Sequence, residues 1–395
     1  MRRPTVLPLT AALVIALAAP AHAAATAGPA PALDRAALRK AVTVRPGDGA
    51  SGVVAEVHKD GRTWLGTSGD IVSGKRVSPD AHFRIGSITK PMEAVILLQL
   101  SAEGRIDLDD TVQQHLPGLL PEGRFEPITV RQLLNHSSGL PQDFEGAPPT
   151  SPDDDIERRF DYLTFDEMIA LTLHPEGRPA PGPRFAPGTR QEYNSFGYRV
   201  AGKLIEEITG HPFQHEVTTR ILRPLGMGET RAAVPGRSTP VPRPYLPGYM
   251  PRSSGELVDV NVQGGLPASM TSTTGDLDRF VSGLFDGRLL RPAQAAELFT
   301  VPKGADGEPL PYANPSNCNA GPAEGTACYS VGLMYVPLPD GSVLWGKTGS
   351  DPGYRAGVFA SRDLSRRVVY ATGTSSSANG VPAVAQRLAL AAFGG

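Results

Sequence analysis

The chain has 395 residues, with 38 Lys plus Arg against 40 Asp plus Glu, a net charge of −2. That balance gives no general attraction to nucleic acid or anionic membranes and excludes a partner of that kind. With 40% hydrophobic and 20% charged residues the chain is globular, and its 44 Gly and 39 Pro imply many turns without a fibre-like period.

Arg2 and Arg3 precede an apolar run from Leu9 to Ala19, and Ala21-His22-Ala23 has the small-x-small form of a signal-peptidase site. Residues 1–23 are therefore expected to be a signal peptide cleaved near Ala23. The run is too short to span a bilayer, which takes about twenty residues. Arg2-Arg3 leaves Sec and Tat export both open. Residues 24–35 read as a flexible lead-in, and residues 36–395 as one secreted, extracellular domain without a membrane anchor, expected to be a monomer. Cys318 and Cys328 are the two cysteines of the chain. An even count in an exported protein favours a disulfide between them, and two are too few for a structural zinc site. His211 and His215 do not meet the spacing of a zinc-protease motif, so no metal and no cofactor are expected.

Asp34–Val42 starts a helix. Gly52–His58 and Arg62–Gly66 alternate as a hairpin around Lys59-Asp60-Gly61. Ser87–Glu103 predicts a helix that is apolar nearly all round, hence buried, with Gly104 beyond its end. Residues 129–300 read mostly helical. Thr164 and Glu167 form a capping box, and further helices are expected over Tyr198–Ile208, Pro212–Leu222 and Asp276–Phe285. Then the character changes: Tyr329–Val336, Val343–Lys347, Tyr354–Ala360 and Arg367–Thr372 read as strands, and Val381–Phe393 as an amphipathic helix. Strands at both ends and helices between them predict an α+β (α/β sandwich) fold. One antiparallel sheet is built from both termini and flanked by helices, with a mostly helical lobe, about residues 87–320, inserted in it.

Three groups carry chemistry. Ser87-Ile88-Thr89-Lys90 stands at a predicted helix start, with Ser and Lys one turn apart on one face. A Ser hydroxyl needs a base before it attacks, and a Lys in an apolar pocket, where its charged form loses hydration, can be that base. The chain has only seven Lys against 31 Arg, so a Lys here is an informative choice. The Ser87 amide lies among the free N–H groups of a helix start, fit to meet an oxyanion. Tyr193-Asn194-Ser195 precedes another predicted helix; a phenol of ordinary pKa near 10 serves as acid or base where ammonium groups favour its phenolate. Lys347-Thr348-Gly349-Ser350 ends a strand. That edge could hold a substrate in β fashion and donate a second oxyanion N–H from Ser350, while Lys347 supplies positive charge to a substrate carboxylate or to neighbouring acids.

S-x-x-K followed by K-T-G is a signature of penicillin-binding proteins and serine β-lactamases. In this order, with Tyr193 between, the chain resembles the Tyr-containing branch of that family, the class C β-lactamases and Streptomyces-type serine D-Ala-D-Ala carboxypeptidases. Phe83-Arg84-Ile85-Gly86, Leu133-Leu134-Asn135-His136-Ser137-Ser138-Gly139 and Pro224-Leu225-Gly226-Met227 extend the resemblance over residues 35–393. It implies an exported serine hydrolase acting through an acyl-enzyme: a D-alanyl-D-alanine carboxypeptidase acting on peptidoglycan-type peptides and acylated by β-lactams. The alternatives are a β-lactamase or carboxylesterase of the same family, or a non-catalytic wall-peptide or β-lactam binding module. It also implies Ser87, Lys90 and Tyr193 as catalytic residues, with Asn194, Ser195, Lys347, Thr348, Gly349 and Ser350 on the substrate. The family's middle motif is Tyr-x-Asn; here Ser195 holds the third place and Asn194 the second. Met334 stands where the similar Streptomyces carboxypeptidase has an Arg. His136 is expected to support the fold.

Overall fold

The computed structural model describes residues 33–142, 151–177, 179–234, 236–314, 321–376 and 382–394. The expected signal peptide, residues 1–23, lies outside this range, and so does Cys318. Cys328 is fully buried, and no free cysteine occurs among the described residues.

The chain enters through helix α1 (Arg35–Val42), whose Asp34 side chain accepts from the Ala36 and Ala37 amides at 2.9 Å. Hairpin strands β1 (Ala50–Lys59) and β2 (Arg62–Ser68) follow. Helix α2 (Thr89–Ala102) comes next, with Val95, Ile96, Leu97, Leu98 and Leu100 all fully buried, as their wrap-around pattern predicts. Helices α3 (Phe165–Leu173), α4 (Phe196–Thr209) and α5 (Thr274–Phe285) build the inserted lobe. The chain then returns through β3 (Met334–Pro337), β4 (Val343–Asp351), β5 (Tyr354–Ser361) and β6 (Arg366–Thr374), and ends in α6 (Ala383–Phe393).

The six strands form one antiparallel sheet in the order β3-β4-β5-β6-β1-β2. Period-two alternation explains how it is buried on both faces. Val53, Ala55 and Val57 of β1, with Val368 and Tyr370 of β6, pack against Leu38 and Val42 of α1 and Val384 and Leu388 of α6. Val54, Val369 and Ala371 point the other way, into the core shared with α2, α4 and α5. The fold class read from the sequence is thus the observed one.

Residues 231–272, of which 234–255 read as a Pro/Gly-rich loop between the helices, are neither plain loop nor helix. They hold short strands: Arg231–Ala232, Thr239–Pro240, Tyr249–Pro251, Leu257–Asp259, Val262–Gln263 and Met270–Ser272. Segments of two or three residues between Pro and Gly are too short to show a period. Met270–Ser272 matters most, because it pairs with Phe83–Arg84, and the Met270 carbonyl accepts from the Ile85 amide at 3.1 Å. That brace fixes the chain two residues before Ser87. Among the described residues no helix is long and apolar enough to cross a membrane.

Candidate active site

Ser87 sits in a single 3-10 turn, Gly86–Ile88, that runs directly into α2. Strand β4 lies hard against this turn. A Cβ on Gly349 would collide with the Ile85 carbonyl, and one on Gly86 with the Ser350 backbone. Glycine at both places lets the Ser350 main chain abut the residue before the nucleophile. Strand β3 covers β4 only as far as Gly346, its partner at Met334. The chain departs for the helical lobe at Gly332, whose amide donates to the Leu134 carbonyl at 3.2 Å. From Lys347 onward, the outer edge of β4 therefore has no strand partner among the described residues, while its inner edge is paired with β5 through Asp351. An unpaired edge beside a nucleophile is a docking edge for an extended substrate.

Three side chains converge. The Lys90 ammonium donates to Ser87 Oγ at 3.1 Å, and the Tyr193 hydroxyl donates to the same oxygen at 2.8 Å. The Lys347 ammonium lies 4.7 Å from the centre of the Tyr193 ring and donates to the Thr348 carbonyl at 3.0 Å. Burial pushes the Tyr193 phenol up, but the charges of Lys347 and Lys90 and the bond to Ser87 outweigh it and bring the pKa down to about 7. Burial holds Lys347 below the ordinary lysine range; the Lys90 charge adds to this and Tyr193 opposes it. A phenol that ionises near neutrality, in contact with a serine hydroxyl, can take its proton as the oxygen attacks, with Lys90 as the alternative acceptor.

The Tyr193 segment is held from several sides. Its amide donates to the Tyr312 hydroxyl at 2.8 Å, and its carbonyl accepts from Gln142 Nε2 at 3.1 Å. Two residues earlier, the fully buried Gln191 donates to the Asn135 and Tyr329 carbonyls at 2.7 and 2.8 Å. Its oxygen accepts from the Cys328 and Tyr329 amides at 2.8 and 3.0 Å.

Asn194 and Ser195 are not where the sequence argument put them. Asn194 Nδ2 donates to the Leu140 and Pro141 carbonyls at 2.9 and 2.8 Å, and its Oδ1 accepts from the Gly197 amide at 2.6 Å. Both amide hydrogens are used, so Asn194 anchors the loop rather than offering a donor to a substrate. Ser195, expected on the substrate, would share Tyr193's face if the chain between them were extended. It instead has helical dihedrals, φ −79° and ψ −32°, as the N-cap of α4, which breaks that two-residue alternation. Thr348 donates to the Met334 sulfur at 3.7 Å, and Met334 is buried, so this place offers an apolar wall rather than a cation.

Sequence reasoning passed over Glu93. It lies on α2 one turn beyond Lys90, 3% exposed, with Oε2 unpartnered. Burial raises its carboxyl to about 8, against the opposing charges of Lys90 and Arg199. The signal was there: one acid within the otherwise apolar stretch Pro91–Leu98. Tyr198 and Tyr329, which line the floor beside the two lysines, carried no such signal. Among the described residues two clusters have metal-compatible spacing, Glu56-His58-Asp278 and His211-His215-Glu216. In each an arginine already engages a carboxylate, Arg367 on Asp278 and Arg220 on Glu216.

A family model described as Beta-lactamase matches residues 38–393. The chain belongs to this beta-lactamase family of serine hydrolases. Among solved structures, a D-stereospecific amidohydrolase from Streptomyces sp. is similar at 30% identity and TM-score 0.74, covering 91% of this chain and 98% of that one. The D-amino acid amidase from Ochrobactrum anthropi SV3, complexed with D-phenylalanine, is similar at 25% identity and TM-score 0.70, covering 90% and 98%. Esterase EstB from Burkholderia gladioli is 34% identical over 163 residues, 40% of each chain. The curated relatives are matched over only 33–40% of their own length.

Proposed function

We propose that this member of the family is a serine amidohydrolase that forms an acyl-enzyme on Ser87 and acts on amides of D-configured residues. The observation that carries the chemistry is the convergence of Lys90 Nζ and Tyr193 Oη on Ser87 Oγ, 3.1 and 2.8 Å away. In the reactive form the Tyr193 phenolate accepts the Ser87 proton while Oγ attacks the substrate carbonyl. The oxyanion is met by the Ser87 and Ser350 amides. The proton then passes from the phenol to the leaving nitrogen, the C–N bond breaks, and water, activated by the same phenolate, releases the acid. Likeness to two D-specific amide hydrolases over almost their whole length supports the D-configured amide.

D-Ala-D-Ala carboxypeptidase action, with acylation by β-lactams, is the second reading, favoured by the Lys347-Thr348-Gly349 motif. A carboxypeptidase needs a cation for the terminal carboxylate. Here Lys347 is only 2% exposed and faces the Tyr193 ring, and Met334 supplies no charge. An amide with no terminal carboxylate makes no such demand, which ranks the amidase reading first. An ester is the easier version of the same chemistry. The domain is proposed to act outside the cell after loss of residues 1–23. Release of ammonia from D-phenylalanine amide, assayed beside L-phenylalanine amide, D-Ala release from an acyl-D-Ala-D-Ala peptide and nitrocefin hydrolysis, tests the ranking. D-amide turnover at least tenfold above the others supports it, and faster D-Ala release reverses it.

A further inference from the structure

His136 is a loop histidine whose backbone and ring meet the chain on both sides of Tyr193. It follows the short helix Val130–Leu134 and its Asn135 C-cap, and adopts φ +61°, a left-handed backbone unusual for a side-chain-bearing residue. A conformation of this kind persists where surrounding bonds over-determine it. Here they do. The His136 carbonyl accepts from the Glu192 amide at 3.0 Å, and its ring Nδ1 accepts from the Asn194 amide at 3.1 Å. One residue thus grips the chain immediately before and immediately after Tyr193. Its ring also lies 4.7 Å from the Tyr193 ring, with Tyr198 and Tyr329 at 5.2 and 4.9 Å closing the other sides.

We propose that His136 is a positioning residue of the reaction: its Nδ1 lone pair fixes the backbone on which Tyr193 is carried, so that the phenol meets Ser87 Oγ. The bond requires a neutral ring with its proton on Nε2, because a protonated Nδ1 would face the Asn194 N–H donor to donor. The charged and titratable groups facing the ring enforce that state. Burial, then Lys347, then Lys90 hold the imidazole well below its ordinary range, and Tyr193, Tyr198 and Tyr329 complete the surround. The same two lysines that favour the Tyr193 phenolate thus keep the ring that positions it uncharged. A histidine supplies what neither a purely apolar nor a purely polar residue does: a flat face for the phenol and an in-plane acceptor for the amide.

The proposal rests on Tyr193 acting on Ser87, so the test includes Tyr193→Phe. His136→Phe keeps a ring and removes the acceptor. His136→Asn keeps an acceptor near the Nδ1 position and tolerates the left-handed backbone. Hydrolysis of p-nitrophenyl acetate is followed from pH 5 to 9 with each full-length variant, beside its thermal unfolding. His136→Phe should lower kcat ten- to a hundredfold with KM within about twofold, and displace the acid limb of the kcat profile. His136→Asn should recover most of kcat and return the limb. A wild-type profile in His136→Phe, or equal losses in both variants that follow their loss of unfolding temperature with the limb unmoved, would reduce His136 to a space-filling residue and overturn the proposal. Full activity in Tyr193→Phe, or no turnover by the wild type, would instead fail the Ser87–Tyr193 reading and take this proposal with it.

Discussion

At the scale of single residues the site is a charge arrangement around one oxygen. Two ammonium groups and a phenol of pKa about 7 share a pocket with a carboxyl raised to about 8. Because the phenolate is the working form of Tyr193, amide or ester turnover should rise about tenfold per pH unit below 7 and level above it. Lys347→Ala removes the cation 4.7 Å from the ring centre and lets the phenol rise, so the limb should move to higher pH with a large loss at pH 7. A limb that stays in place in Lys347→Ala would show that Lys347 does not set the Tyr193 ionisation. Lys90→Arg should be nearly as damaging as loss of Ser87, since a guanidinium cannot accept the proton. Glu93 acts on stability through the opposite sign. The folded chain holds its proton up to about 8 whereas a free carboxyl releases it near 4.5. Between those values the native state binds more protons, so stability falls as pH rises. Glu93→Gln should therefore unfold at higher temperature than the wild type at pH 8, with the difference closing toward pH 4.5. A constant difference across that range would contradict the buried acid.

At the scale of elements, the Tyr193 loop and the β4 edge carry the site, and each is held by backbone rather than by bulk. Asn194→Ala would strip partners from the Leu140 and Pro141 carbonyls and the Gly197 amide. Unfolding in denaturant should show a loss of about 2–4 kcal/mol. The substitution Ser195→Asn tests substrate reach. Ser195 stands at the N-cap of α4, off the extended face that Tyr193 holds, so an amide added at 195 should change peptide, β-lactam and ester turnover alike. A gain for peptide and β-lactam turnover over ester turnover would show that position 195 meets the substrate after all. These two residues also show where sequence reasoning stopped. Ser87, Lys90, Tyr193 and Lys347 were legible because their residue types and spacing each answer one chemical need. The roles of Asn194 and Ser195 depend on two dihedral angles, and no motif encodes those. His136 was legible only as a loop residue supporting the fold, and Gln191 not at all, because their partners lie 56 to 138 positions away in the chain.

For the whole molecule, the sandwich was readable because strand segments stand at both ends of the chain with helices between them, and because α2 is apolar nearly all round. The short strands of residues 231–272 carry too few residues for any period, and their pairing partners come from distant segments such as Phe83–Arg84. Two proposals concern the expected export of the chain. Peptide mapping without reductant should find Cys318 joined to Cys328, a bond that closes a short loop and contributes roughly 2–3 kcal/mol in the loop-entropy description; two free thiols would refute it. The mature N-terminus should begin at Ala24. The central claim is the acyl-enzyme on Ser87, and one measurement meets it directly: mass spectrometry of the whole protein after brief mixing with benzylpenicillin and, separately, with an activated ester of a D-amino acid. The account predicts a single covalent adduct in the peptide that contains Ser87, absent from a folded Ser87→Ala variant. An adduct on another residue, or hydrolysis that survives in Ser87→Ala, would contradict it.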